Sequence, residues 1–141
     1  MRAGSRPVRI IIDTNILVGF LIGKRLRQLE AGIRVGDFVI ITSPLLLEEF
    51  RSVAVRHGFR KYFPPEEVDR LFNFLKTFGK SYDALRPSKA ISRDPEDDFL
   101  LALAMKSKAN VLITGDKDLL VMERHGVTAI LSARSFTDQY L

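Results

Sequence analysis

The chain has 141 residues, enough for one domain and too few for two of ordinary size. Its composition, 46% hydrophobic and 28% charged, suits a globular protein with a real core; the absence of cysteine excludes a disulfide framework, thiolate zinc sites and a cysteine nucleophile. The 22 Lys and Arg outnumber the 17 Asp and Glu to give +5, a balance that predisposes to nucleic acid, and two histidines leave little for a histidine metal site or triad.

Residues 1–7 read as a flexible N-terminal extension and residues 8–141 as a single domain. Val8–Ile12 is a short β-branched run that ends at an acid, a first strand followed by Asp13, Thr14 and Asn15. It is too short for a signal-peptide core, and no apolar run reaches the roughly 18 residues that span a bilayer, so a cytoplasmic protein with no membrane partner is expected. A helix is expected near 15–34 and a second strand over 38–41. Ser43-Pro44 then opens a helix near 44–57, with Ser43 as N-cap, and Pro64-Pro65-Glu66-Glu67 opens another near 65–79. Asp94-Pro95-Glu96-Asp97 starts a helix near 95–108 after an irregular stretch at 86–92. Strands at 111–113 and 127–131 and helices near 117–124 and 133–140 complete the chain. Short strands separated by helices imply parallel β-α-β units: an α/β fold, a three-layer sandwich whose central, mostly parallel sheet is flanked by helices.

In such a sheet, ligands bind at the carboxyl ends of the strands. The first strand ends in Asp13, the second leads into a helix with Glu48 and Glu49, and the third ends in Thr114, Gly115, Asp116, Lys117 and Asp118. Each has a structural reading as well. Asp13 suits an Asx turn, Asp116 an N-cap, and Asp94 an N-cap before Pro95. Glu49 is harder to explain by structure, because its helical neighbours are Leu46, Phe50 and Val53, and an isolated charge on an apolar face is expensive. Glu48 reads as an ordinary solvated position. Asp98 resembles Glu49, with Leu101 and Ala102 on its side, and Asp97 is ambiguous because Leu100 and Leu101 flank it. Converging carboxylates in a chain poor in His and lacking Cys imply a hard cation with oxygen ligands, Mg²⁺ or Mn²⁺, whose chemistry suits phosphodiester hydrolysis.

Four segments in this order resemble the PIN domain family, specifically its toxin-like branch. They are Ile10-Ile-Ile-Asp-Thr-Asn-Ile-Leu17, Thr42-Ser-Pro-Leu-Leu-Leu-Glu-Glu-Phe50, Ser92-Arg-Asp-Pro-Glu-Asp-Asp-Phe-Leu-Leu-Ala-Leu-Ala104 and Val111-Leu-Ile-Thr-Gly-Asp-Lys-Asp-Leu-Leu120. Ile130-Leu-Ser-Ala-Arg-Ser-Phe136 is similar to the family's closing strand and helix. The resemblance covers nearly everything from Val8 onward. It implies a PIN-like fold and a Mg²⁺- or Mn²⁺-dependent ribonuclease acting on single-stranded RNA, the toxin of a toxin–antitoxin pair. It also implies an antitoxin partner and a homodimer or higher homo-oligomer. The implied acid quartet is Asp13, Glu49, Asp98 and Asp116, with Asn15 and Thr114 assisting and Asp118 close to the metal; Asp97 and Asp94 stay open as alternatives to Asp98.

Because an acid pocket repels a polyanion, basic residues beside it are expected to hold RNA: Arg51, Arg56, Arg60 and Lys61, with Lys24, Arg25 and Arg27 as the alternative surface. Such clusters are also what a solvated helix face looks like. A haloacid-dehalogenase-like phosphohydrolase fits less well, since it needs an aspartate at Asn15 and a threonine at Leu17. A PIN scaffold that only binds RNA or protein is the other rival, and an intact acid quartet argues against it, because clustered carboxylates cost stability without a cation.

Overall fold

In a computed structural model describing residues 6–22, 25–56, 64–83 and 95–141, the Val- and Ile-rich run Val8–Ile12 forms strand β1. It is followed by helices α1 (Thr14–Ile22) and α2 (Arg25–Arg34), β2 (Phe38–Thr42), α3 (Pro44–Ala54), α4 (Pro65–Phe78) and β3 (Lys80–Ser81). Then come α5 (Pro95–Ser107), β4 (Val111–Ile113), α6 (Lys117–Leu120), β5 (Arg124–His125), β6 (Thr128–Leu131) and α7 (Ala133–Tyr140). The six strands lie in the order β3-β2-β1-β4-β6-β5, all neighbours parallel except the β5–β6 pair. This is the mostly parallel, helix-flanked α/β sandwich that the alternation of elements implies.

The layering follows from the chain's path. From β1 the chain steps outward to β2 and β3, then reverses and crosses to β4 on the other side of β1. Crossovers between parallel strands are right-handed, so reversing the direction of travel moves the connecting helix to the opposite face. The side chains record this. Ile10 and Ile12 pack with Leu17, Val18, Leu29, Phe50, Leu71 and Phe136 from α1–α4 and α7, whereas Ile11 and Leu112 pack with Leu101, Leu103, Ala104 and Leu119 from α5 and α6. Ile10 and Ile11 are both fully buried, which is why the Ile10–Ile12 half of β1 reads as an apolar run with no alternation. Burying an aromatic such as Phe50 or Phe136 stabilises by roughly 1.5–3 kcal/mol. Helix α2 approaches β2 so closely that a Cβ on Gly32 would lie 2.5 Å from the Phe38 ring.

Local chemistry sets several boundaries. Ser43 caps α3, its Oγ accepting the Leu46 N–H at 3.0 Å, and Pro44 occupies the first turn, where its missing donor costs nothing. Helix α3 stops at Ala54, short of the expected 57. The helix expected over 15–34 is two helices, and the one near 117–124 is a single turn ending at Leu120. Two strands, β3 and β5, were not legible at all: each is two residues long, polar and at an edge of the sheet. Arg6 and Pro7 are exposed ahead of β1; the remainder of the expected N-terminal extension lies outside the described residues, as do Asp94 and the whole irregular stretch at 86–92. No helix among the described residues is long and apolar enough to cross a membrane.

Candidate active site

The sheet reverses its order of construction beside β1, and a parallel sheet opens a crevice at such a point, outside the carboxyl ends of the strands. β1 and β4 pair there in register, Ile12 beside Ile113, so the residues that follow each strand emerge side by side. Asp13 leaves β1 with its N–H donating to the Ile113 carbonyl at 2.9 Å, and it immediately precedes α1. Thr114 leaves β4 fully buried, and its hydroxyl donates to Asp13 Oδ2 at 2.9 Å while accepting the Asp116 N–H at 3.1 Å. One hydroxyl thus ties the two strand ends together, orienting the Asp13 carboxylate and holding the Asp116 backbone. Asp116 also caps α6, its Oδ1 accepting the Asp118 N–H at 2.8 Å. The capping role expected of it and a place in the crevice are compatible, since a second carboxylate oxygen remains for other work.

A cavity of about 740 Å³ occupies the crevice, lined by Asp13, Asn15, Glu48, Glu49, Asp97, Asp116 and Arg56, with Leu45, Leu46, Phe99 and Leu100 among its apolar walls. Four elements contribute: the β1–α1 junction, α3, the first turn of α5 and the β4–α6 junction. Burial raises the Asp13 carboxyl above its ordinary value. The Thr114 hydroxyl and the backbone N–H groups of Asn15 and Thr14 pull the other way, and the charge of Asp116 adds to the rise. The two aspartates are therefore near enough to repel.

Of the residues singled out in the sequence, Asp13, Glu49, Asp116 and Asn15 come together in this cavity, and Thr114 stands behind them. Asp97 lines the cavity, while the neighbouring Asp98 does not, although both are buried, at 3% and 6% exposure. Spacing could not separate the two, because each has leucines one turn further along α5. Asp118 is exposed and is not part of the lining. Glu48, read from its helical neighbours as merely solvated, shares the cavity rim with Glu49. Among the described residues, no three Asp, Glu or His side chains are gathered tightly enough to hold a metal ion by themselves.

The expected RNA-binding cations divide. Arg56 is exposed and lines the cavity. Arg51 faces α4, within 3.6 Å of Asp69 and 4.8 Å above the Phe72 ring. Arg60, Lys61 and Lys24 lie outside the described residues; Arg25 and Arg27 are exposed at the start of α2.

Thr114→Val tests the tie between the strands. Valine keeps the shape but leaves a buried Asp13 oxygen without its donor and the Asp116 N–H without its acceptor. The expected cost is about 1–3 kcal/mol in denaturant unfolding. Any reaction supported by these acids should slow roughly 10–100-fold, the usual effect of losing a group that orients a ligand, and Thr114→Ser should restore both.

A search of curated proteins finds no match to the chain. The model of the PIN domain family matches residues 9–118, which include every acid of the four segments and most of the chain. The chain belongs to the PIN domain family.

Proposed function

We propose that the protein is a divalent-metal-dependent endoribonuclease that hydrolyses single-stranded RNA. PIN domains are generally nucleases and typically use divalent metal ions. The observation that carries the reading here is the meeting of Asp13, Glu49, Asp97 and Asp116, from four separate parts of the chain, in one crevice. Oxygen-only donors of this kind fit Mg²⁺ or Mn²⁺, and the raised Asp13 carboxyl beside Asp116 is the electrostatic problem that a cation would relieve. The acids need not close a complete shell, because Mg²⁺ keeps several of its waters.

Asp13, Asp97 and Asp116 would hold the ion, in part through its bound waters, with Glu49 beside it; Asp98 and Asp118 take that role only if α5 and α6 turn toward the cavity. When bound, such an ion supplies an activated water and neutralises charge on the attacked phosphate. The chain's own part is positional. Thr114 fixes the direction of the Asp13 carboxylate and holds the Asp116 backbone, Asn15 offers an amide at the rim, and Leu45, Leu46, Phe99 and Leu100 wall the crevice. Arg56, the cation at the rim, would meet a substrate phosphate, with Arg60 and Lys61 following it in sequence.

The toxin assignment, with an antitoxin that silences the enzyme and a homo-oligomeric assembly, rests on the sequence resemblance alone. The experiment is cleavage of single-stranded RNA with Mn²⁺ or Mg²⁺, repeated in chelator. Metal-dependent products are expected. RNA binding without cleavage under every metal would favour the binding-module reading and sink this one.

A further inference from the structure

The acid crevice repels the substrate it is proposed to cut, and Arg56, the one cation lining it among the described residues, offsets little of that. Folding assembles a second group of cations that no sequence cluster shows. At the opposite, amino-terminal end of β1, Arg6 and Arg9 meet Lys106 and Lys108 from the end of α5. Together with Tyr82 and Tyr140 they line a cavity of about 720 Å³, and among the described residues no Asp or Glu lines it.

The cavity is built as well as charged. Arg9 Nε and Nη2 donate to the Ser107 carbonyl at 3.1 and 2.7 Å, and Nη2 also reaches the Tyr82 hydroxyl. The Arg9 backbone N–H donates to Asn110 Oδ1 at 2.8 Å, and Lys106 Nζ donates to the Asp83 carbonyl. These partners are neutral oxygens, so they hold the cations in place without cancelling their charge. Arg9 and Lys80 lie over the Tyr82 ring at 5.8 and 5.7 Å. Burial would push the Tyr82 hydroxyl up, yet hydrogen bonds and charge from Arg9 and Lys80 bring it below its usual value. Fixed cations beside an aromatic ring are what a strand of single-stranded nucleic acid requires: phosphates on the charges, a base on the ring.

We propose that this cavity is a holding site for the phosphates of single-stranded RNA, roughly 16 Å from the acid crevice along the five-residue β1. The proposal rests on the ribonuclease reading for the identity of the strand. It explains how an acid site on a net-basic protein retains a polyanion: the strand is gripped at one end of the sheet and cut at the other.

The test uses Arg6→Glu/Lys106→Glu, both exposed positions outside the acid crevice, with circular dichroism to check the fold. Affinity for a long labelled oligoribonucleotide is measured in chelator, where cleavage is off, at several salt concentrations. Losing two phosphate contacts should weaken binding about tenfold or more and lower the slope of log K against log salt by about 1.4, at about 0.7 per phosphate. Hydrolysis of bis(p-nitrophenyl) phosphate, too small to reach the cavity, should be unchanged. Inorganic tripolyphosphate should displace RNA from the original chain. Unchanged RNA affinity in the double variant overturns the proposal, and if tripolyphosphate binding is lost all the same, the cavity serves a free phosphate ligand instead. Loss of RNA affinity in a protein that hydrolyses nothing supports the holding site and overturns the nuclease reading alone.

Discussion

Asp13→Asn is expected to reduce RNA cleavage by more than about a hundredfold, beyond the usual effect of disturbing a group that only orients a metal ligand, while leaving metal-free protein at least as stable as before. The two effects have one origin. Burial holds the Asp13 carboxyl above its ordinary value of 3.8, with the charge of Asp116 adding to it and hydrogen bonds from Thr114, Asn15 and Thr14 offsetting part. A group whose value is raised by folding binds its proton more tightly in the folded chain. Its stabilising contribution is therefore present below pH 3.8 and is lost as pH rises through the folded-state value. At neutral pH the folded protein bears the full penalty of the ionised carboxylate. Asparagine removes the charge and keeps an oxygen that accepts the Thr114 hydroxyl, so metal-free Asp13→Asn should melt at or above the original temperature near neutral pH, and the difference should shrink on acidification. Cleavage rates and melting curves from pH 3 to 8 check this. Full metal-dependent activity in Asp13→Asn would remove it from the metal site.

The second large effect separates two adjacent acids. Asp97→Asn should slow cleavage by more than about a hundredfold and Asp98→Asn by less than about tenfold, the division expected between a ligand and a group beyond the ligands. Asp97 lines the crevice with Asp13 and Asp116; Asp98 is buried just outside it. Both sit in the first turn of α5, where the helix dipole favours a carboxylate by about 0.3–1 kcal/mol, so their stability costs should be similar and small. Activity alone tells them apart. The reverse ranking would return the role to Asp98, as the sequence resemblance implies.

The sequence was most informative where one residue type carries one message. The acid ending β1 and the acid two residues past Thr114 are legible because strand ends in a parallel sheet converge, and Glu49 because a carboxylate among Leu46, Phe50 and Val53 needs a reason. Asp97 and Asp98 defeat the same argument. Helix α5 is apolar around most of its circumference, so periodicity cannot say which acid faces the crevice. β3 and β5 escaped because a two-residue edge strand such as Lys80–Ser81 is defined by its neighbour's free backbone groups and not by its own side chains. The basic cavity escaped for a similar reason: Arg6, Arg9, Lys106 and Lys108 are neighbours only once β1 and β4 pair.

Whether these carboxylates share a divalent cation is decided by titration calorimetry of Mn²⁺ into the original chain and into Asp13→Asn, both without RNA. Saturable binding to the original chain is expected, with protons released as ligands deprotonate, and none, or far weaker binding, to Asp13→Asn. Equal Mn²⁺ binding by the two proteins would contradict a shared site.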